Sequence, residues 1–322
     1  MPIAGKLEIA VVMKLRLTLI QTKQNALYDF AHQQKPISAE TSRALRASMA
    51  EETLALMQAA PETDLMVTSE AVNFPGLAKQ LEAPYAAHVE SQMLEERFAA
   101  IARQKGCYIV GGLYTARDGR LYNEAVVWNR SGMEVARYRK VHLAGDEQLS
   151  LTAGEQYCTV DADFGRFGVC VCWDMQFPEV CRHYAVQGVR LVVCPTWGWE
   201  QLYAHARAYE NGIFVAGAMA VPYQGIIEGI RTPSELVAPD GTVLARASND
   251  RAQSLTCTFD LDAMAQLHQM RMHGLDTYNR RRVKKIIEAF CSRHNKTMIM
   301  VTHYEKELPN IIDHHIFLKK NK

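Results

Sequence analysis

No window of the 322 residues reaches the roughly 18 consecutive apolar residues that a membrane-spanning helix requires. The first turns of the chain are broken by Lys6, Glu8, Lys14 and Arg16, which disfavours a secretory signal and predicts a cytoplasmic protein. A formal net charge of +1 gives no electrostatic case for nucleic acid or an anionic membrane surface as partner. The eight cysteines (107, 158, 170, 172, 181, 194, 257, 291) form no paired CxxC spacing, so neither a disulfide framework nor a zinc site is suggested. They lie mostly inside apolar runs, and reduced thiols are expected. No G-x-x-x-x-G-K-[ST] phosphate loop occurs, so ATP hydrolysis is not supported. Short repeats, low-complexity tracts and flexible linkers are absent before about residue 283.

What is present is ordinary globular material, 48% hydrophobic and 22% charged, enough for one large α/β domain or two smaller ones. Leu15 to Gln21 alternates as a strand does, and Ala39 to Ala60 places Leu45, Met49, Leu56 and Met57 at helical spacing. Asp64 to Glu70 predicts a second strand, running into the turn Asn73-Phe-Pro-Gly76. A helix over Val89 to Lys105 and a strand over Cys107 to Leu113 follow. Tyr122–Trp128 and Glu134–Tyr138, joined by Asn129-Arg-Ser-Gly132, carry a hairpin signal. Val160 to Cys172 suggests another hairpin, turning at Phe164-Gly-Arg166. Helices at Pro178–Gln187 and Trp199–Asn211 then alternate with strands at Val189–Cys194 and Ile213–Ala220. Two segments around Pro239-Asp-Gly241, a strand at Ser254–Phe259 and a helical Asp262–His273 complete the pattern. Alternating β and α elements with inserted hairpins predict mixed sheets covered by helices. The patterned sequence begins just after Met13, which marks that residue as a candidate natural start.

One stretch, Gly168-Val-Cys-Val-Cys-Trp-Asp-Met-Gln-Phe-Pro-Glu179, joins a β-branched run to a helix-starting proline. Cys172 falls at that junction, where helix N–H groups would lower a thiol pKa and favour the thiolate. On a strand, Cys170 and Cys172 would share a face. Glu70 and Lys140 also close strands, and functional groups in α/β sheets gather beyond carboxyl ends of strands. The combined chemistry is coherent: a carboxylate takes the thiol proton, the thiolate attacks an acyl carbon, and an ammonium stabilises the oxyanion. Each has a plainer reading. Glu70 could cap a helix, Lys140 could be a surface cation, and Cys172 could be a small core residue.

Five blocks in order resemble the nitrilase superfamily, the carbon-nitrogen hydrolases, over residues 13–282. They are Ser69-Glu-Ala-Val-Asn-Phe-Pro-Gly76, Arg139-Lys-Val-His-Leu143, the Gly168–Glu179 stretch, Pro195-Thr-Trp197 and Arg207-Ala-Tyr-Glu-Asn211. The first departs from the family's common Pro-Glu-Leu by reading Ser-Glu-Ala, with the acid retained. The resemblance implies a four-layer αββα sandwich with two mixed β-sheets and a catalytic triad of Glu70, Lys140 and Cys172. Glu147 matches a further family glutamate that positions substrate and lysine; its plainer reading is a solvated loop acid beside Asp146. His142 and His183 are expected to be structural, Asp174 to orient the turn at Cys172, and Arg207 and Glu210 to form a supporting ion pair.

On this reading the protein is a cofactor-free hydrolase of a small linear amide or carbamoyl compound. Lys140 and the backbone N–H of Trp173 would hold the oxyanion, Trp173 and Trp197 would contact substrate, and a homodimer or higher homo-oligomer is expected. A nitrilase shares all three catalytic residues and is the alternative. A non-catalytic interaction protein is the alternative of another class, motivated by residues 283–322. That tail resembles the extreme C-terminus of an ABC-transporter ATPase domain, with His303 at the place of its switch histidine. Without a phosphate loop it is expected to carry no chemistry.

Overall fold

Among the described residues, twelve strands form two sheets. In this computed structural model the described residues are 14–27, 37–73, 84–222 and 231–271. Met13, the Phe74-Pro-Gly76 turn and the 283–322 tail with His303 lie outside them. The chain divides into two compact units, Met1–His268 and Gln269–Lys322, and the sheets and helices described belong to the first.

The first sheet has the order β12-β1-β2-β3-β4-β5. It comprises β1 (Lys14–Lys23), β2 (Leu65–Thr68), β3 (Tyr108–Arg117), β4 (Arg120–Trp128), β5 (Glu134–Arg139) and β12 (Gln253–Asp260). Strands β1, β2 and β3 run parallel and the outer ones antiparallel, so the sheet is mixed. The second has the order β6-β7-β8-β9-β10-β11, from β6 (Cys158–Ala162), β7 (Gly165–Val169), β8 (Leu191–Thr196), β9 (Phe214–Val221), β10 (Glu235–Val237) and β11 (Val243–Arg246). Its parallel centre is β7, β8 and β9. A short parallel pairing of Thr22 with Ala220 and Lys23 with Val221 joins the two sheets at the ends of β1 and β9.

Helix α1 (Ala39–Ala59) starts on Ser38, whose hydroxyl accepts the Thr41 N–H at 3.1 Å. With α2 (Pro84–Lys105) it covers the outer face of the first sheet. Met57 of α1 and Phe98 and Ile101 of α2 pack there with Ile109, Leu113, Val126 and Trp128. Phe98 meets Trp128 edge-on at 5.7 Å, and truncating such a ring costs about 3–5 kcal/mol. Helix α3 (Pro178–Val186) opens on its proline and lays Tyr184 over Gly168 of β7. Helix α4 (Gln201–Asn211) ends at left-handed Gly212. The inner faces of the sheets meet where β2 and β3 lie against β8. Sandwiched strands are buried on both sides, so β8 and β9 read as continuous apolar runs without alternation. The result is helix, sheet, sheet, helix: the expected four layers.

Three boundaries near the site differ from the sequence reading. Strand β2 stops at Thr68 and β7 at Val169, each short of its functional residue. Strand β3 continues to Arg117 and turns back at Asp118-Gly119, both with positive φ, into a long hairpin with β4. That is the type I′ geometry that matches strand twist.

Candidate active site

Glu70 lies just past β2, where the chain turns sharply through Ala71 at φ 51°. Strand β3 braces it closely. The Gly112 N–H donates to the Thr68 hydroxyl at 3.0 Å, and the Gly112 carbonyl accepts the Val72 N–H at 3.0 Å. A Cβ at Gly112 would stand 2.5 Å from the Ser69 carbonyl oxygen and 2.8 Å from Glu70 Cα, so only glycine permits this approach. From the other sheet, the Trp197 indole N–H donates to the Glu70 carbonyl at 2.7 Å.

Lys140 follows β5 and is 1% exposed, which excludes the surface-cation reading. Its backbone N–H donates to the Asn123 carbonyl at 2.9 Å and its carbonyl accepts the Gly154 N–H at 2.8 Å. Its ammonium lies 2.9 Å from Glu70 Oε1 and 2.8 Å from Glu147 Oε2. Glu147, in a single 3-10 turn over Gly145–Leu149, also accepts from the Ala144 N–H at 2.8 Å and from Asn123 Nδ2 at 2.8 Å. It is therefore part of the cluster and not a solvated acid. A buried ion pair needs further hydrogen bonds to its charged groups, and Asn123 Nδ2 and the Ala144 N–H supply such bonds to Glu70 and Glu147.

Burial pushes the Glu70 carboxyl above the ordinary carboxylate range; the Lys140 charge opposes this and Glu147 adds to it. Burial alone would lower Lys140, but Glu70, the Cys172 thiol and Glu147 hold it well above the usual lysine value. The lysine is thus a fixed cation.

Cys172 opens a 3-10 turn, Cys172–Gln176, with φ 47°, a left-handed value that a non-glycine residue adopts under constraint. Asp174 supplies the constraint. Its Oδ2 accepts the Val171 N–H at 2.9 Å and the Tyr138 hydroxyl at 2.8 Å, and its Oδ1 accepts the His142 N–H at 2.9 Å. At the far end of the turn, Arg207 donates to the carbonyls of Met175 at 3.2 Å and Gln176 at 3.0 Å while pairing with Glu210 at 3.1 Å. Asp174, Arg207 and Glu210 therefore have the supporting positions expected of them. His142 stacks on Phe177 at 3.9 Å with its Nδ1 on Asp174, and the His183 ring lies tilted against Tyr157 at 4.9 Å. Both are held as parts of the packing.

Two expectations about Cys172 are corrected. The helix N-terminus is not at the sulfur, because α3 begins only at Pro178. Burial instead pushes the Cys172 thiol up, with Glu70 adding to the rise. Lys140, the Trp197 main chain and the Thr196 hydroxyl pull the other way. The resting group is a thiol that needs a base. Nor do Cys170 and Cys172 share a strand face: pairing ends at Val169, Cys170 is fully buried and Cys172 half-buried. The Cys172 sulfur lies 3.7 Å from the place a Cβ on Gly198 would occupy.

Trp173 is 42% exposed beside the thiol, and its backbone N–H has no partner among the described residues. Trp197 is half-buried behind Glu70. Asn123, Tyr114 and Gly198 belong to the same cluster and were not singled out in the sequence, whereas Thr196 appeared only as part of the Pro195-Thr-Trp197 block. The available signal was polar Asn123-Glu124 inside an apolar strand. Among the described residues the cysteines are free, no group of His, Cys, Asp or Glu side chains could hold a metal ion, and no helix is long and apolar enough to cross a membrane.

Residues 16–269 match the family model of the carbon-nitrogen hydrolases. The chain belongs to that family. This hydrolase is 33% identical over 256 residues to a Pseudomonas protegens protein described as a hydrolase in the pqqF 5' region, covering 76% of this chain and 85% of that one. It is 31% identical over 192 residues to human omega-amidase NIT2, covering 54% of this chain and 69% of the relative. Among solved structures, a carbon-nitrogen hydrolase from Helicobacter pylori G27 shares the fold with a TM-score of 0.65 at 22% identity, over 83% of this chain and 98% of that one. An amidase from Nesterenkonia sp. has a TM-score of 0.57 at 25% identity, over 79% and 95% respectively.

Proposed function

We propose that this hydrolase cleaves the C–N bond of small linear amides or carbamoyl compounds by covalent catalysis at Cys172. The observation that carries the reading is the buried Lys140 ammonium held between Glu70 and Glu147 at 2.9 and 2.8 Å, next to a half-buried thiol. Glu70 accepts the thiol proton, and the sulfur adds to the amide carbon. Lys140 and the Trp173 N–H stabilise the oxyanion that forms. Collapse of the tetrahedral adduct breaks the C–N bond, and the proton held by Glu70 leaves with ammonia or an amine. Water, deprotonated by Glu70, then hydrolyses the thioester and frees the acid and the thiol. Trp173 and Trp197 form walls of the substrate site.

The same residues would serve nitrile hydrolysis through a thioimidate. The amide reading is favoured by the omega-amidase and amidase names among the relatives. Residues 283–322 take no part in the chemistry on this reading. Ammonia release from a panel of ω-amides, carbamoyl amines and nitriles tests the proposal, with Cys172→Ala as control. Turnover of amides by the wild type alone is expected. Turnover of nitriles only, or undiminished turnover by Cys172→Ala, would overturn it.

A further inference from the structure

We propose that Asn123 is a positioning residue that locks Glu70 Oε1, ties it to Glu147, and leaves Glu70 Oε2 as the atom that receives the thiol proton. Asn123 stands on β4, is 1% exposed, and lies opposite Tyr114 of β3. Its Nδ2 donates to Glu70 Oε1 at 2.7 Å and to Glu147 Oε1 at 2.8 Å. An amide nitrogen has two protons, so both are committed to carboxylates. The opposite amide orientation would set Oδ1 against two acceptors, so the carboxylates themselves fix which end faces them.

The geometry is one-sided in two ways. Lys140 Nζ also donates to Glu70 Oε1, at 2.9 Å, so both hydrogen bonds reaching Glu70's carboxylate among the described residues converge on the same oxygen. Meanwhile Asn123 Oδ1 is buried with no partner. A buried acceptor left unsatisfied is unfavourable, and a residue present only for packing would be replaced without loss by an apolar one. Here the amide nitrogen makes both of the side chain's hydrogen bonds. Four groups face Glu70 across this cluster: Lys140 after β5, Glu147 in its 3-10 turn, Tyr114 on β3 and Cys172 after β7. Burial and the Glu147 charge disfavour the ionised form of Glu70, while the Lys140 charge and the two hydrogen bonds on Oε1, from Lys140 and Asn123, favour it.

The inference rests on the assignment of Glu70 as base, so Glu70→Gln is assayed alongside. The variants are Asn123→Leu, which removes both donors, Asn123→Asp, which replaces them with a further negative charge, and Asn123→Ser, which keeps one hydroxyl donor. The kcat/KM of each is followed against pH with an amide substrate, and thermal melting is recorded. Expected are a loss of about 10²-fold in kcat for Asn123→Leu, a larger one for Asn123→Asp and a smaller one for Asn123→Ser. In every active variant the acidic limb of kcat/KM moves to higher pH. Losses that track melting temperature with an unmoved pH profile would mean Asn123 is structural, and would overturn the inference. If Asn123→Leu fails to fold, Asn123→Ser decides on the same criterion. Full activity of Glu70→Gln would instead sink the assignment of the base.

Discussion

The Lys140 ammonium lies 2.9 Å from Glu70 Oε1, and both side chains are almost completely buried. Neither charge can therefore be titrated independently of the other. Glu70 must be ionised to accept a proton, yet burial raises its pKa above the ordinary value of 4.5. The acidic limb of kcat/KM should accordingly lie above that value, with activity falling as pH drops through it. Lys140, held well above 10.5, should contribute no change at neutral pH. Glu147→Gln removes a charge that raises Glu70 and should move the limb to lower pH. A limb at the pH of a free carboxylate, unmoved in Glu147→Gln, would contradict this account.

Cys172→Ala should remain folded, since a small residue replaces a small one in a turn held by Asp174 and Arg207, and its turnover should fall at least 10²-fold. Glu70→Gln keeps the shape and should lose roughly 10²-fold or more in kcat, the range of general-base contributions. Intact-mass analysis after mixing with substrate should find an acyl adduct on the wild type and none on Cys172→Ala. An adduct on another cysteine would move the nucleophile elsewhere.

Gly112→Ala places a methyl group 2.8 Å from Glu70 Cα and 2.5 Å from the Ser69 carbonyl oxygen, both backbone atoms that cannot swing aside. Strand β2 must shift, and the carboxylate with it. A displacement of an ångström at a catalytic group costs about 10²-fold, so kcat should drop by at least tenfold together with the melting temperature. Unchanged kcat would mean that the end of β2 is freer than its contacts imply.

Asp64, just before β2, tests the scaffold away from the chemistry. Burial alone would raise it, but hydrogen bonds from Arg16 at 3.0 Å and Arg130 at 3.1 Å hold it at about 2 instead of 3.8. A depressed carboxylate stabilises the fold above its unfolded pKa, and that stability is lost as pH falls through the folded value. Asp64→Asn should therefore cost about 1–2 kcal/mol at neutral pH. The gap from wild type in denaturant melts should narrow from pH 4 towards pH 2. A gap that stays constant over that window would rule out the charge as its origin.

The sequence by itself determined the order of helices and strands and placed Glu70, Lys140 and Cys172 close to the ends of three strands. Apolar periodicity and turn residues are local signals, legible within a dozen residues. Glu147 was legible only through resemblance, because a glutamate next to an aspartate in a polar loop looks like any solvated acid. Tertiary structure alone decided the rest. Asn123 becomes a partner of two carboxylates only when β4, β2 and the Gly145–Leu149 turn converge. The thiol of Cys172 rises instead of falling because burial, with Glu70 adding to it, outweighs Lys140 and the donors at Trp197 and Thr196. Nothing local marks Gly112 within its strand, and only the second sheet's Pro195 and the backbone of Ser69 and Glu70 pressing on it explain why no side chain fits. Desolvation and close approach depend on residues far apart in the chain, which no local pattern encodes.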